Sequence, residues 1–319
     1  MGEVYWNISS SNLTQIYGSL TLPAQLTGIV GTASLLLNAA LLSLFLLKRN
    51  LWTPFDLYFL ALVSNNVLLH GIATPLTVML ELDDGWPVNI AGCLVYAYAV
   101  FILLLNQLAI HSCIAINRIW AMVAPVSFRN FHTFRSAGCL AVAIVVVSHV
   151  VGLPLILVDI LQRQPVQLGH CFFGDPNYSL VEQVSTMINR ILLFACFMIM
   201  VISMPVIVWK RWQRLRLKHQ IVLRPNAKKR FVPNADITRA REGQSAILII
   251  AFGASIVVCW GPYVTYYVVA SGYDLQIVQY LVVLFNCQSV ADPIILVCAL
   301  PVWRNALHEA VCRYNRAKK

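Results

Sequence analysis

Seven apolar runs, each about 20 to 28 residues long and edged by polar or charged residues, occupy most of this chain. They lie near residues 25–47, 55–80, 91–117, 136–158, 185–209, 244–270 and 276–300. A run of about 20 apolar residues is what an α-helix needs to cross the roughly 30 Å hydrocarbon core of a bilayer. Backbone polar groups in lipid must be satisfied within their own segment, which selects helices over open sheets. Charged residues inside the runs are few: Asp56 at an edge, Arg190 and Asp292. The expected fold is all-α, a seven-helix membrane bundle forming one domain over 25–300, after an N-terminal segment at 1–24.

Charge decides how such a bundle is oriented. Charged residues are only 11% of the chain, while hydrophobic residues are 59%, so little remains for a separate soluble domain. A net charge of +10 is compatible with nucleic acid, but its placement argues for a membrane surface instead. Of the 23 Lys and Arg, 21 fall at one set of alternating loops: Lys48 and Arg49, Arg118, Arg129 and Arg135, eleven from Lys210 to Arg241, and five from Arg304 onward. The opposite loops hold Arg163, with Arg190 just inside a run, but carry Glu3, Glu81, Asp83, Asp84, Asp159, Asp175, Glu182 and Asp274. By the positive-inside bias the N-terminus is extracellular and the C-terminus cytoplasmic, with the basic side against anionic inner-leaflet lipid. Localisation at the plasma membrane and no nucleic-acid partner follow as expectations.

Residues 1–24 contain no Lys or Arg and no apolar core before a cleavage site, so a cleaved signal peptide is not expected. Glycosylation sequons begin at Asn7, Asn12 and Asn177, all on the side assigned as external. Most of the nine cysteines sit inside runs, as small buried hydrophobes do. Cys93 and Cys171 lie at the external edge, in an oxidising compartment, and a bridge between them is expected. The long loop near 210–243 starts as a basic extension of the fifth run and is broken at Pro225 and Pro233. A helix restarts at Asp236. After Pro301, Trp303, Leu307 and Val311 recur at helical spacing, giving an amphipathic helix over 301–319 on the inner membrane surface, with Cys312 a palmitoylation candidate.

The order of several short motifs now resembles that of the rhodopsin-like (class A) G-protein-coupled receptors over nearly the whole chain. Asn38 is followed by Asn66 after 28 residues, then by Pro75. Trp86 precedes Cys93 by seven residues, and Arg118 follows Cys93 by 25, where the arginine of the DRY motif is expected. Cys259-Trp260-Gly261-Pro262 matches CWxP, Asp292-Pro293-Ile294-Ile295-Leu296 varies NPxxY, and Trp303 stands at the aromatic position of the eighth helix. The departures are specific. DRY reads Asn117-Arg118-Ile119, Asn66 stands at the carboxylate position of the second run, Asp292 replaces an Asn, and Leu296 replaces the tyrosine. The resemblance therefore implies a divergent member.

The resemblance assigns roles residue by residue. Asn38, Asn66, Gln107, Gln288, Ser289 and Asp292 would surround one cavity holding water and a sodium ion. An intramembrane carboxylate is costly and by default functional; Asp292 protonated, or bonded to Asn66 as structural glue, is the plainer reading. Arg118 would pair with Glu242 at rest and swing into a G-protein pocket on activation, with Asn117 and Pro293 in the same switch. Snorkelling to phosphates is its alternative. Trp260 would be a toggle above the kink at Pro262. A ligand cavity would be lined by Val100, Phe101, Leu104, Arg190, Tyr263, Tyr267 and Asn286. Val100 leaves no counter-ion for an amine, and Asn286 leaves no lysine for retinal. Arg190 points to an anionic ligand unless it pairs with Glu182 or Asp175 or reaches headgroups. His70, His111 and His149 read as helix–helix hydrogen bonders rather than metal ligands.

The leading expectation is a receptor that passes an extracellular ligand signal to heterotrimeric G proteins. The alternative is a poorly coupling scaffold or decoy receptor. A transporter is disfavoured by the lack of inverted repeats, and an enzyme by the lack of a nucleophile–base pair or metal triad.

Overall fold

The computed structural model describes the backbone of residues 10–82, 92, 95–96, 98–162, 180–222, 235–269 and 275–317. Among them the secondary structure is helical, with no strand. In chain order, α1 is Ser10–Leu47, α2 Asp56–Leu82, α3 Leu104–Val123, α4 Pro125–Phe131, α5 Phe134–Gln162, α6 Leu180–Val222, α7 Ala235–Val269, α8 Leu275–Ala299 and α9 Pro301–Ala317. Six of these helices carry described stretches long and apolar enough to span a bilayer, and α7 adds a shorter apolar stretch at Ile250–Tyr266. The seven expected spans are thus seven helices. Three features lie beyond the expectation. α1 begins at Ser10 rather than near 25, the short α4 fills part of a loop, and a π-helical turn, Ala99–Leu103, leads into α3. α6 runs well past the fifth apolar run to Val222, as its basic extension predicts.

The packing order follows from which helices touch. α1 meets α2 and α8, α2 meets α5, α5 meets α6, α6 meets α7, and α7 meets α8, which closes a ring. α3 contacts α2, α5 and α6 and fills the centre. Its spanning stretch is 78% buried, against 17% in α5 and α6. The outer faces of the ring expose Ile29, Leu36, Val142, Val147, Val150, Ile191 and Val258, the surface that lipid would cover.

Close approach of two helices needs a small residue at the crossing. Gly31 of α1 provides it: a methyl group there would fall inside the Thr74 side chain of α2, 2.9 Å from its Cβ. Ser112 joins α3 to α6 by donating to the carbonyl of Cys196 at 2.9 Å. Asn65 of α2 donates to the carbonyl of Leu103, the last residue of the π-helical turn, at 2.9 Å. Polar side chains thus link helices where lipid offers no hydrophobic driving force between them.

Two apolar clusters are stacked along the bundle. One, at the Arg118 end, contains Phe45, Phe55, Tyr58, Phe59, Ile110, Ile114, Phe252, Leu296 and Trp303. The other contains Leu69, Leu103, Leu104, Leu108, Met200, Ile256, Trp260, Val264 and Phe285.

The expected membrane-facing stripe on α9 splits in two. Trp303 is 1% exposed and packs into the bundle, whereas Leu307 and Val311 stay exposed. The cause is the indole's partners. Its ring centroid lies 4.0 Å from that of Phe45, and its Nε1 donates to Asp56 Oδ1 at 3.0 Å. The other Asp56 oxygen accepts the backbone N–H of Thr53 and the Thr53 hydroxyl, each at 2.6 Å. Lys48 and Glu309 add an exposed pair at 2.8 Å. Trp303→Phe keeps the ring contact but leaves a buried acceptor unpaired, so it should cost about 1–3 kcal/mol. The expected result is a lower thermal midpoint in detergent, with Leu307→Ala close to wild type.

Candidate functional site

A polar layer lies among the helices, built on one carboxylate. Asp292 of α8 is 1% exposed, and Asn38, Asn66, Gln107, His111, Gln288 and Ser289 are all buried to a similar degree. Gln288 Nε2, one turn earlier, donates to Asp292 Oδ1 at 2.6 Å. Asn66 Nδ2 of α2 donates to Oδ2 at 3.1 Å and lies 3.3 Å from Asn38 Oδ1. His111 Nε2 of α3 lies 3.2 Å from the same Oδ2. With the carboxylate ionised, that ring nitrogen is the donor. Asn38 donates to the carbonyls of Ser34 and Ser289, and Gln107 Nε2 donates to Ser289 Oγ at 2.9 Å. The structure therefore joins all six residues of the expected cluster and adds His111. The sequence signal was present: His111 is one helical turn after Gln107 and shares its face. Of the other two histidines, His149 bonds Tyr98 across helices at 2.7 Å, while His70 faces Thr74 of its own helix at 3.2 Å.

The donor set bears on the sodium ion that the resemblance implies. Around Asp292 the groups that converge are N–H donors, and both carboxylate oxygens are engaged by them. Oδ2 already has Asn66 and His111 against it, so a cation there would need one of them to withdraw, and the carboxylate's face toward α2 and α3 does not fit it.

At the Arg118 end, the guanidinium carbon sits 3.2 Å from the centroid of the Phe55 ring. Its Nε has no hydrogen-bond partner among the described residues. Asn117 turns away and donates to the Tyr58 hydroxyl at 3.0 Å. Arg214 of α6 donates to the carbonyl of Met122 at 2.9 Å, at the C-terminal end of α3 where free carbonyls favour a cation. Phe55 and Tyr58 were not singled out in the sequence, because nothing in their spacing sets them apart from other core aromatics. The Glu242 side chain lies outside the described residues.

Toward the other end, Trp260 is 1% exposed and packs at 5.2 Å on Phe285, which in turn meets Tyr263 at 5.1 Å. Leu104 belongs to this cluster, and Val100 and Val282 pack against it. Asn286 is buried, Pro293 is buried, and Pro262 is exposed. Phe101 and Arg190 are exposed. The structure thus gathers Val100, Leu104, Trp260 and Tyr263, and leaves Phe101 and Arg190 outside that cluster. Cys312 on α9 is half-buried, with its Sγ 3.8 Å from the His308 ring nitrogens. Cys93, Cys171, Asn7 and Asn177, with the side chains of Asn12 and Tyr267, lie outside the described residues.

His132 completes the Arg118 end, its ring stacked on Phe128 at 4.4 Å. Burial, and then the nearby Arg118 charge, hold its pKa below the ordinary histidine value. The folded state thus keeps His132 neutral, and the unfolded chain binds the extra proton near pH 6.5. Its stabilising contribution is complete above that value and is lost as pH falls from about 6.5 towards the lower folded pKa. Thermal midpoints should therefore fall between about pH 7.5 and 5.5, and His132→Phe should remove part of that fall.

Comparison with known proteins agrees with this geometry. Residues 37–296 match the family described as "7 transmembrane receptor (rhodopsin family)". The chain is 24% identical to the alpha-2C adrenergic receptor of Didelphis virginiana over 139 residues, 41% of this chain and 29% of that receptor. It is 24% identical to the 5-hydroxytryptamine receptor 1E of Cavia porcellus over 127 residues, 40% of this chain and 34% of that receptor. The matched stretch spans about a third of each relative's length. The family match covers most of the chain and contains Asn38, Asn66, Arg118, Trp260 and Asp292. The chain belongs to the rhodopsin family of seven-transmembrane receptors.

Proposed function

We propose that this protein is a plasma-membrane receptor that converts binding of an extracellular ligand into activation of a heterotrimeric G protein, with its N-terminus outside and its C-terminus in the cytosol. The observation that carries the reading is the state of Arg118. Its guanidinium rests on a neutral ring, 3.2 Å from the centroid of Phe55, and the neighbouring Asn117 carries no charge to hold it. A cation–π contact of this kind is worth about 0.5–2 kcal/mol, and the attraction of Asp56 adds to what release of the arginine must overcome. Movement of α7 about Pro262 and Trp260 would supply that release, since Phe252 of the same helix stacks on Phe59 at 5.9 Å and Phe59 meets Phe55 edge-to-face at 4.9 Å. A chain of rings thus runs from α7 to the residue under Arg118.

The ligand reading rests on residue chemistry. Two relatives are named for adrenergic and 5-hydroxytryptamine reception, but Val100 offers an amine no counter-ion in α3's leading turn. Asn286 cannot form a Schiff base with retinal. The gathered lining of Val100, Leu104, Trp260 and Tyr263 is apolar and aromatic, and Arg190, exposed outside that cluster, is the residue whose charge would suit a carboxylate or another anion. The poorly coupling scaffold is favoured by one observation. Leu296, at the tyrosine position of the NPxxY-like stretch, is 1% exposed and has no hydroxyl to stabilise a displaced arginine.

G-protein dissociation measured in intact cells separates the two. Wild type should show basal dissociation above an empty-vector control, Phe55→Ala should raise it several-fold, Glu242→Ala should raise it further or leave it high, and Arg118→Ala should abolish it. Equal, negligible basal signals from wild type, Phe55→Ala and Glu242→Ala at matched surface expression would favour the scaffold instead.

A further inference from the structure

The polar layer around Asp292 contains one group that the receptor reading leaves unused. His111 is 0% exposed in the middle of α3, and its ring faces two other helices. On one side Nε2 lies 3.2 Å from Asp292 Oδ2 of α8. On the other, the ring packs on Phe252 of α7, centroids 5.5 Å apart. Among apolar neighbours alone a leucine would fill the same space, so the placement of an imidazole against the one described carboxylate of this polar layer asks for a reason.

The carboxylate provides it. A lone ionised group at this depth is expensive unless its oxygens receive donors or a counter-charge. Donors to ionised oxygens are about twice as strong as neutral ones. Asp292 receives Gln288 on Oδ1 and both Asn66 and His111 on Oδ2. An N–H aimed at Oδ2 occupies the direction from which a cation would approach, and any positive charge on the ring would repel that cation further. The oxygens of Asn66, Gln107 and Gln288 lack partners among the described residues. They could serve water, but for sodium to bind them together with Asp292 Oδ2, Asn66 or His111 would have to leave that oxygen.

We propose that His111 takes the place of a bound sodium ion: the imidazole ties Asp292 directly to α3, and the polar layer closes without a metal. The ring then also becomes a mechanical joint, because α8 holds one edge of it and Phe252 of α7 the other. This inference concerns the resting core and stands whether or not the receptor couples to a G protein.

The test uses the full chain purified in detergent, with thermal unfolding followed by tryptophan fluorescence. Sodium chloride is exchanged for potassium chloride at constant ionic strength. Wild-type midpoints should superimpose in the two salts. His111→Leu should melt lower and recover part of the loss in sodium but not in potassium, because the vacated oxygen then accepts the ion. Adding Asp292→Asn to that variant should remove the sodium response, and His111→Gln, which retains an N–H donor, should stay indifferent to the salt. A wild-type midpoint that rises with sodium and not with potassium overturns the proposal. A folded His111→Leu protein indifferent to sodium overturns it as well. If His111→Leu yields no folded protein, the wild-type comparison decides alone.

Discussion

One carboxyl group, sealed at 1% exposure between helices, sets the terms for the middle of this molecule. Asp292 cannot reach water, so its cost must be met by side chains brought from elsewhere in the chain. α2 brings Asn66, α3 brings His111, and α8 itself brings Gln288. Asn38 of α1 joins through the Ser289 carbonyl. Three helices thus meet at one carboxyl group, and α1 is tied to the same layer through Ser289. Apolar packing could not do this alone, because methyl groups in lipid and methyl groups between helices differ little in free energy.

The same logic operates at a second carboxylate. Asp56 receives Trp303 from α9 and Thr53 from the turn before α2. Its satisfaction draws α9 under the bundle and turns Trp303 inward, away from the stripe it shares with Leu307 and Val311. Between these two anchors lies the aromatic layer of Phe55, Phe59 and Phe252, and above it rests Arg118. The Asp56 charge acts on the arginine from the same end, and the ring against its guanidinium is Phe55.

Variation in the motifs is consistent with this arrangement. The exchange that puts asparagine at 66 and aspartate at 292 keeps one carboxylate in the layer but moves it to α8, where His111 can reach it. Asn117, no longer an acid beside Arg118, bonds Tyr58 and fixes α3 to α2 instead. Each substitution thus alters which helix pair is joined, while the number of buried charges stays low.

Much of this was readable from residue order alone. Run length and the absence of charge dictated helices of bilayer-spanning size, since unpaired backbone groups have no other outlet in lipid. The order and spacing of Asn38, Asn66, Arg118, Trp260 and Asp292 carry the resemblance to the family, and the polar cluster was expected as what that resemblance implies. What only the tertiary structure decided was partnership. Phe55 and Phe285 carry no mark in sequence that separates them from other buried residues, and His111 and Asp56 stand out there only as polar residues without a named partner. Their roles depend on which side chain of a distant helix lies within about 3 to 5 Å, and a helix's rotation and depth are set by packing against several neighbours at once. Periodicity names the face of a helix, but contact with the rest of the bundle chooses what that face meets.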